Sequence, residues 1–550
     1  MNVESSVPVP PVADRAWNLA DIWEAHAGRF PTASALIADD RCITWGEMDQ
    51  RADGVAELFL RHGLQQQDKV AHYLYNCPEY MESMFAMFKA GLVPVNTNYR
   101  YTDAELAYLW ENADVVAVVF HGSFTPTIER IRGSVTAVRL WVWVDDGSGP
   151  MPDWAVRYDD AAAVDPGRQR GRWGRSGGDL YMLYTGGTTG KPKGVMWRQD
   201  DVVMSLEAAA SSPLPPRASI SALTDRVKEP GIVLIPAAPL MHGTGAFAAI
   251  GALILAGAIV TLSGRTFDPE ALLDCIDRER VTSMSIVGDA HAKPLVRALE
   301  AHPGRWNFSS MRVITSSGVM WSAETKKALL QHNQRLIMVD ALGSSEAIGM
   351  ARSTTTAGSA SSGRTASFRL GADARVLDDE GRDVMPGSGA VGRVALRGRT
   401  PLGYYKDAAK SASTFIVVDG DRYSIPGDWA TVEADGTLKL LGRGSQCINT
   451  GGEKVYPEEV EEAIKAFPGV RDAVVVGVPD ERFGSAVVGV IEEDGTVLDD
   501  ALTAHIREHL AAYKAPRRFV RVNSINRAAN GKVDYGRLEQ VAIEMLSGTA

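Results

Sequence analysis

The sequence predicts an α/β fold, with a large N-terminal domain of parallel sheets and a smaller α+β domain at the C-terminus. Short β-branched runs such as VVAVVF, GIVLIP and MRVIT alternate with helical stretches such as PEYMESMFAMFKAG, as in parallel sheets covered by helices. From about Gly371 strands and turns follow each other closely, which indicates a small antiparallel β section. The length of 550 residues also exceeds what a single hydrophobic core organises.

The end of the chain has the pattern of a compact α+β unit. YPEEVEEAIKAF and TAHIREHLAAY have helical periodicity, and the two strand-like runs DAVVVGVPD and SAVVGVIEED lie between them. The segment GRGSQCINTGG before this unit has the small, polar content of a linker. We therefore predict two domains, which comprise residues 1–442 and 443–550.

Composition limits the classes of function. The net charge of -11 argues against non-specific attraction to nucleic acid. The four cysteines, Cys42, Cys77, Cys275 and Cys447, are far apart and form no C-x-x-C pair, so we predict neither a zinc site nor a disulfide framework. The first residues, MNVESSVPVPPVADRAW, lack the basic and apolar regions of a signal peptide. A reducing cytoplasm is the expected location.

One uncharged segment is about as long as a membrane-spanning helix. Residues 243–262 read GTGAFAAIGALILAGAIVTL. Their glycines and alanines, and the strand-like GIVLIPAAPL before them, favour a buried helix followed by a strand. Peripheral contact with a membrane stays open as an alternative.

Residues 184–194 read YTGGTTGKPKG and follow the apolar run DLYMLY, so a strand leads into this loop. Glycines let backbone N–H groups turn toward an anion, threonine hydroxyls add donors and lysines add charge, which suits a polyphosphate. The loop differs from the common P-loop, because Lys191 is followed by Pro192 rather than by Ser or Thr. The alternative is a surface loop without a ligand.

Five motifs in this order resemble those of the adenylate-forming, AMP-binding superfamily. They are YTGGTTGKPKG, DALGSSE at 340–346, SIPGDW at 424–429, LLGRGSQCINTGGEKVYPEEVE at 440–461 and NGKVDY at 530–535. Within the superfamily the chain looks like an acyl-CoA synthetase, of the subgroup with long-chain and steroid side-chain CoA ligases. The resemblance implies that ATP converts a carboxylic acid to acyl-AMP and pyrophosphate. The thiol of coenzyme A then displaces AMP.

The resemblance also implies where the phosphates and the metal bind. The loop residues assigned to the departing pyrophosphate are Thr185, Gly186, Gly187, Thr188, Thr189 and Lys193. Gly186 stands where the family usually has serine. Glu346 matches the magnesium-binding glutamate, and we add Thr185 as a second Mg²⁺ ligand and catalytic residue, since Mg²⁺ prefers oxygen ligands. A solvated surface glutamate is the alternative for Glu346.

The nucleoside site follows from the same resemblance. Ser345 corresponds to a hydroxyl near the α-phosphate, and Leu342 and Gly343 precede it on the adenine side. Leu342 replaces the aromatic residue that normally stacks on adenine, which gives up roughly 1 kcal/mol. Gly318 and Val319 are expected on the opposite wall.

Three residues are assigned to the sugar and to the reacting groups. Asp428 matches the carboxylate that accepts hydrogen bonds from the ribose hydroxyls, and Arg443 is expected beside it. Lys532 resembles the catalytic lysine that bridges the carboxylate and the α-phosphate, a role that suits a point charge on a long stem.

The resemblance implies a mobile C-terminal domain, since one site must perform two reactions. Ser445, two residues after Arg443, is the expected hinge. Rotation about it would move Lys532 away and bring Gly451 and Gly452 toward the thiol of coenzyme A.

The acid is expected to be apolar, either a medium- or long-chain fatty acid or a bulky apolar acid. Its pocket residues are predicted to be His242, at the mouth, together with Gly288, Asp289 and Gly318. An isolated core histidine is the alternative for His242. The glycines after His242 approximate a dinucleotide-binding fingerprint, but the next strand is followed by TLSGRT without the acidic residue of such sites.

Two other functions remain alternatives. One is an adenylating enzyme that loads a carrier protein, although no aspartate stands where an amino group would be held. The other is an inactive nucleotide-binding protein, which the joint presence of Glu346, Asp428, Arg443 and Lys532 opposes. The expected partners are thus a carboxylic acid, ATP, Mg²⁺ and coenzyme A, and a dimer is left open.

Overall fold

The fold was analysed in a computed structural model of the chain. It describes residues 17–185, 191–208, 219–318, 321–359, 367–443, 446, 448–450, 453–480, 484–495, 497–510, 512–528, 531 and 533–548. Several predicted site residues lie outside the described residues: Gly186, Gly187, Thr188, Thr189, Val319, Ser445, Gly451, Gly452 and Lys532.

Helices and strands alternate through the first two thirds of the chain, as predicted. The helices are α1 (Leu19–Arg29), α2 (Trp45–Arg61), α3 (Pro78–Ala90), α4 (Asp103–Asn112), α5 (Thr125–Ile131), α6 (Tyr158–Ala162), α7 (Gln199–Ala208), α8 (Ile220–Arg226), α9 (Gly243–Ile254), α10 (Pro269–Arg278), α11 (Gly288–Ala301), α12 (Ala323–His332), α13 (Ala408–Thr414), α14 (Pro457–Lys465), α15 (Asp499–His509) and α16 (Tyr535–Ser547).

The strands are β1 (Ser34–Ala38), β2 (Arg41–Thr44), β3 (Lys69–Tyr73), β4 (Val93–Asn96), β5 (Val115–His121), β6 (Leu140–Val144), β7 (Val156–Arg157), β8 (Leu180–Thr185), β9 (Lys193–Arg198), β10 (Val233–Pro236), β11 (Ala258–Thr261), β12 (Ser283–Ile286), β13 (Val313–Ser316), β14 (Ile337–Ser344), β15 (Ala347–Thr355), β16 (Phe368–Leu370), β17 (Ala374–Leu377), β18 (Val391–Arg397), β19 (Gly403–Tyr404), β20 (Phe415–Val418), β21 (Asp421–Ser424), β22 (Asp428–Val432), β23 (Thr437–Arg443), β24 (Ile448–Thr450), β25 (Glu453–Val455), β26 (Val470–Asp480), β27 (Gly484–Glu493) and β28 (Arg518–Arg521).

The first sheet has the order β19-β9-β8-β4-β3-β5-β6-β7 and is parallel from β8 to β7. Its central strands are buried on both faces. In β5, Ala117 and Val119 belong to one hydrophobic core, and Val118 and Phe120 belong to the core on the other side. This double burial explains why the parallel strands read as continuous apolar runs.

The predicted anion-binding loop connects two antiparallel neighbours, β8 and β9. The chain therefore returns from the loop as a strand, and helix α7 begins only at Gln199. The strand at the loop's start was predicted, whereas the returning strand VMWR was not separated from the helical stretch after it.

The second sheet has the order β2-β1-β11-β10-β12-β13-β14-β15-β16-β23-β22-β18-β21-β20, and β17 pairs with β18. Pairing is parallel from β1 to β14, and every pair from β14 onward is antiparallel. The predicted antiparallel section is therefore present. It begins at the β14–β15 turn, before Gly371, because the DALGSSE motif itself forms the first of these turns.

The uncharged segment 243–262 forms helix α9 and then strand β11, as predicted. Strand β11 is buried between β1 and β10. Among the described residues, the helices are all too short or too polar to span a membrane.

The smaller C-terminal domain is built on the three strands β26, β27 and β28. Helices α14 and α15 cover one face, where Ile464 and Ile506 join Val475 in a core. Helix α16 covers the other face, where Leu538 packs with Val474. The predicted order of helix, two strands and helix is confirmed, and α14 also packs against β23 of the large domain.

Candidate functional site

Asn96 joins the carboxyl ends of strands from both sheets. Its amide Nδ2 donates to the carbonyl oxygens of Tyr184 at 2.9 Å and Met241 at 2.7 Å, and its Oδ1 accepts from the Tyr184 N–H at 2.6 Å. Thr185 is the next residue along β8, and His242 follows Met241. Thr185 of the predicted phosphate loop and His242 of the predicted acyl pocket are thus brought to one edge, where ligands bind in α/β sheets.

Asn76 fixes the same segment from the end of β3. Its Nδ2 donates to the Pro236 carbonyl at 3.1 Å, and its Oδ1 accepts from the Leu240 N–H at 2.7 Å. His242 then stands at the N-cap of α9 and is half-buried. The position of His242 is therefore set by two asparagines of the other sheet.

Glu346 is connected to β8 and β9, the two strands that flank the predicted phosphate loop. Thr185 faces Lys193 in the β8–β9 pair, and Val195 on β9 faces Tyr404 on β19. The Tyr404 hydroxyl donates to Glu346 Oε1 at 2.8 Å. This chain of contacts connects the first two predicted motifs, which are distant in the sequence.

The backbone around Glu346 is also fixed. Ser424 Oγ donates to the Glu346 carbonyl at 2.7 Å, and the Glu346 N–H donates to Ser344 Oγ at 3.2 Å. Trp197 Nε1 donates to the Ser345 carbonyl at 2.8 Å. The side chain of Glu346 is therefore held at the β14–β15 turn, next to β9.

The surroundings of Glu346 fit a magnesium ligand. The residue is half-buried, and within the described part of the chain its second carboxylate oxygen, Oε2, accepts no hydrogen bond. Mg²⁺ is usually bound through one or two protein carboxylates together with water and phosphate oxygens. Thr185, the other predicted ligand, is also half-buried, at the end of β8.

Lys193 forms an ion pair with Asp407. Asp407 is the N-cap of α13, and its Oδ1 accepts from the Lys410 N–H at 2.9 Å. The hydrogen bond from Lys193 holds the pKa of the Asp407 carboxyl below its ordinary value. The Lys193 ammonium also lies 6.0 Å from the centre of the Tyr404 ring.

A cavity of about 240 Å³ opens beside this ion pair. Its lining residues are Tyr108, Asn112, Lys191, Pro192, Lys193, Tyr405, Lys406 and Asp407. Lys406 is neutralised by Asp114 at 2.7 Å, and Lys191 lies 4.4 Å from the centre of the Tyr108 ring. The cavity is thus lined by three lysines, two of which, Lys193 and Lys406, are paired with the carboxylates of Asp407 and Asp114.

The predicted ribose-binding pair is adjacent by backbone register. Asp428 on β22 faces Arg443 on β23. Asp428 is buried and follows Gly427, whose φ of 108° lies in the left-handed region that favours glycine.

The predicted adenine-binding residues that the structure describes lie on β14 or shortly after the neighbouring strand β13. Leu342 and Gly343 are half-buried on β14, where Leu342 packs against the core formed by the antiparallel strands. Gly318 follows β13, has a φ of 89° and is exposed. The left-handed conformation explains a glycine at position 318 without reference to a ligand.

Asp289 has structural partners. Its Oδ1 accepts from both the N–H and the Oγ of Ser322, each at 3.1 Å, and its Oδ2 lies 3.6 Å from Lys293 Nζ. Gly288 begins α11, and its N–H donates to Ser316 Oγ at 2.8 Å. These bonds join the start of α11 to β13 and α12, so the predicted substrate contact of Asp289 stays a prediction.

Sequence reasoning missed Asn96, Tyr404 and Asp407. Asp407 stands three residues before Lys410 at the start of AAKSA, which is an N-cap signal that could have identified the helix but not the bond to Lys193. Asn96 ends the strand VPVN, and a lone asparagine there indicates no partner.

Comparison with known proteins identifies the family of the chain. The family described as AMP-binding enzyme matches residues 23–405, and the AMP-binding enzyme C-terminal domain matches residues 459–532. The 3-oxocholest-4-en-26-oate–CoA ligase of Rhodococcus rhodochrous is 38% identical over 94% of this chain and 95% of its own length. A medium/long-chain-fatty-acid–CoA/3-oxocholest-4-en-26-oate–CoA ligase of Mycolicibacterium smegmatis is 36% identical over 96% and 97%.

Solved structures share the fold over nearly the whole chain. The anthranilate CoA ligase AuaEII in complex with anthranoyl-AMP has a TM-score of 0.81 at 22% identity, and it covers 97% of this chain and 99% of its own. ATP-bound MatB from Rhodopseudomonas palustris has a TM-score of 0.78 at 25% identity, with 96% and 99% covered. With both domains matched in order, the chain belongs to the AMP-binding enzyme family.

Proposed function

We propose that the protein is an ATP-dependent acid:CoA ligase that forms AMP. The observation that carries this proposal is the hydrogen bond from Tyr404 to Glu346, because it places the glutamate next to the strand that begins with Lys193. A cation and a carboxylate that suits Mg²⁺ then lie at the base of one glycine-rich loop. The names of the relatives as CoA ligases support the same activity.

The first half-reaction joins two anions, a carboxylate and the α-phosphate of ATP. Its catalysis must therefore come from positioning and from neutralisation of charge. We assign the pyrophosphate to Lys193 and Thr185 with the loop 186–190, and the reacting oxygens to Lys532. Glu346, with Thr185, would hold Mg²⁺, which supplies charge neutralisation at the phosphate oxygens.

The sugar and base would lie between the two antiparallel strands and the end of β13. We assign the ribose hydroxyls to Asp428 and Arg443. The adenine would lie between Gly318 with Val319 and the segment 342–345. The anchored backbone of Ser345 makes this segment a fixed wall.

We propose an apolar acid as the substrate, either a medium- or long-chain fatty acid or a bulky acid with a steroid-like body. The proposed pocket begins at His242, before the apolar helix α9, and its other wall includes Gly288 and Gly318. Relatives named for both fatty and cholestenoic acids support this class. A competition assay with fatty acids of graded length and a sterol-derived acid tests it directly.

Two assays test the proposed activity. Acid-dependent ATP–pyrophosphate exchange reports adenylation, and release of AMP that requires free coenzyme A reports the second step. Exchange without CoA-dependent AMP release would instead support an enzyme that loads a carrier protein. Loss of both in folded protein would support an inactive nucleotide-binding protein.

The expected cellular location and partners complete the proposal. We propose that it acts in the cytoplasm, where dispersed cysteines such as Cys77 and Cys275 stay reduced. Its partners would be small molecules, namely the acid, ATP and coenzyme A. Peripheral membrane contact and a dimer are tested by vesicle flotation and by light scattering.

A further inference from the structure

The lysine assigned to pyrophosphate is already paired with a carboxylate. Lys193 and Asp407 form a direct ion pair, and their side chains are 36% and 31% exposed. Water and small anions can therefore reach the pair through the cavity beside it. An anion that binds Lys193 must share this lysine with Asp407 or displace the carboxylate.

Asp407 is the fixed member of the pair. Its other oxygen, Oδ1, caps α13 through the Lys410 N–H, and Tyr404, three residues earlier, is held by Glu346. The two residues between them are anchored as well, because Tyr405 and Lys406 both bond to Asp114 at 2.7 Å. Lys193, by contrast, carries its charge on a long flexible stem.

We propose that Asp407 is an internal counter-ion that exchanges with inorganic pyrophosphate for Lys193 and thereby speeds the release of pyrophosphate. The inference rests on the proposed function, because it requires Lys193 to contact pyrophosphate.

The exchange follows from the charges. Pyrophosphate bound at Lys193 would place a multiply charged anion next to the carboxylate that caps α13, and neighbouring like charges repel. When pyrophosphate leaves, Asp407 pairs with Lys193 again, so the lysine does not lose a partner. The repulsion and the re-pairing both favour release over retention.

The variant Asp407→Asn separates charge from helix capping, because asparagine caps helices as well as aspartate does. We expect Asp407→Asn to bind pyrophosphate about fivefold more tightly, the upper range for a partly exposed ion pair. Calorimetry with pyrophosphate alone measures this directly. The gain should shrink at high ionic strength, since exposed charges are screened.

Asp114→Asn is the matched control. It makes the same charge change at the partner of another lysine of the cavity, Lys406, rather than at the partner of Lys193. We expect its effect on pyrophosphate affinity to be less than about twofold at physiological ionic strength, because screening weakens charges that are not in contact with the anion. An equal gain in Asp114→Asn and Asp407→Asn would overturn the specific role of Asp407.

Lys193→Ala distinguishes failure of the inference from failure of the proposed function. Weaker pyrophosphate binding in Lys193→Ala, together with unchanged or weaker binding in Asp407→Asn, would overturn the exchange and leave the role of Lys193 intact. Unchanged pyrophosphate binding in Lys193→Ala would overturn both the exchange and the assignment of Lys193 to pyrophosphate. Tighter binding in Asp407→Asn that disappears in the double variant with Lys193→Ala is the expected result.

Discussion

The hydroxyl of Tyr404 donates a hydrogen bond to Glu346, the carboxylate proposed to bind Mg²⁺. Removing this one hydroxyl tests the proposed role of Glu346. We expect Tyr404→Phe to lower acid-dependent pyrophosphate exchange about tenfold, the equivalent of roughly 1.4 kcal/mol for a hydrogen bond to a charged group. The Mg²⁺ concentration for half-maximal exchange should rise, because Glu346 is less well oriented. The ring keeps its packing against Phe415.

The neighbouring residue supplies a control for this change. Tyr405 also donates its hydroxyl to a carboxylate, but this belongs to Asp114 rather than to Glu346. Tyr405→Phe should leave the Mg²⁺ dependence of exchange as it is. Equal Mg²⁺ dependence in wild type and Tyr404→Phe would contradict the role of the tyrosine.

Single residues of the site were predictable only where a motif names them. Thr185, Glu346 and Asp428 follow from motifs, and the structure brings the first two together through Tyr404. The contacts of the other residues were not predictable from local sequence. Tyr404 lies 58 residues from Glu346, and Asp407 lies 214 residues from Lys193, so only the folded topology brings each pair into contact.

Helix α9 contains two glycines, Gly245 and Gly251, whose surroundings differ. A Cβ at Gly245 would lie 2.4 Å from the Pro239 carbonyl oxygen, so the helix must approach this loop without a side chain. At Gly251 a Cβ would meet no atom within 4 Å. The close approach of α9 to the loop before His242 therefore depends on Gly245 and not on Gly251.

We expect opposite effects on stability from the same substitution at these two positions. Gly245→Ala should destabilise the protein by about 1–3 kcal/mol, because the added methyl group overlaps backbone atoms. Gly251→Ala should stabilise it by about 0.5–1 kcal/mol, because alanine favours the helix. Urea unfolding of both variants measures the difference. Equal effects of one sign would contradict the packing described for α9.

Elements were more predictable than contacts. The glycines and alanines of 243–262, with the strand-like run before them, predict a buried helix and a strand, although length and charge alone would also fit a membrane-spanning helix. The antiparallel strand β9 was missed, since VMWR is too short to show alternation before the helical stretch that follows. The β14–β15 turn was missed because its residues were assigned to a motif.

At the scale of the whole molecule, the two half-reactions should respond to different parts of the C-terminal domain. Lys532→Ala should suppress adenylation by several orders of magnitude and leave conversion of supplied acyl-AMP to thioester largely intact, since only the first step joins two anions. Both half-reactions are measured on the same folded preparation. Equal loss of both would show that the assigned role of Lys532 is wrong.

Gly452→Leu should have the reverse effect. If this glycine approaches the thiol channel after domain rotation, a side chain there blocks coenzyme A but not adenylation. Pyrophosphate exchange should persist and thioester formation should be lost. Thioester formation at the wild-type rate would contradict the two-conformation assignment.

The stability of the whole protein should fall below neutral pH because several histidines are buried. Burial lowers the pKa of His72 from 6.5 to about 3, and it also lowers the pKa of His26, His121 and His291. Between about pH 3 and pH 6.5 the unfolded chain binds a proton at His72, and the folded chain does not. Stability is therefore unaffected by this group above pH 6.5 and decreases as the pH falls toward 3.

The contribution of His72 can be isolated. Each such histidine adds a slope of up to about 1.4 kcal/mol per pH unit. His72→Gln should flatten the change in urea midpoint between pH 7 and pH 5 relative to wild type, because glutamine does not titrate. A parallel pH profile in the variant would mean that His72 is protonated in the folded protein.

The register of β22 and β23 has a consequence for the fate of the intermediate. Asp428 and Arg443 face each other on β22 and β23, so the proposed sugar site lies at the predicted border between the two domains. The proposed rotation about Ser445 would begin two residues beyond Arg443. If Asp428 and Arg443 bind the ribose, AMP would occupy one place in both half-reactions, and the acyl-adenylate would not be transferred between surfaces. The walls around the intermediate would change instead.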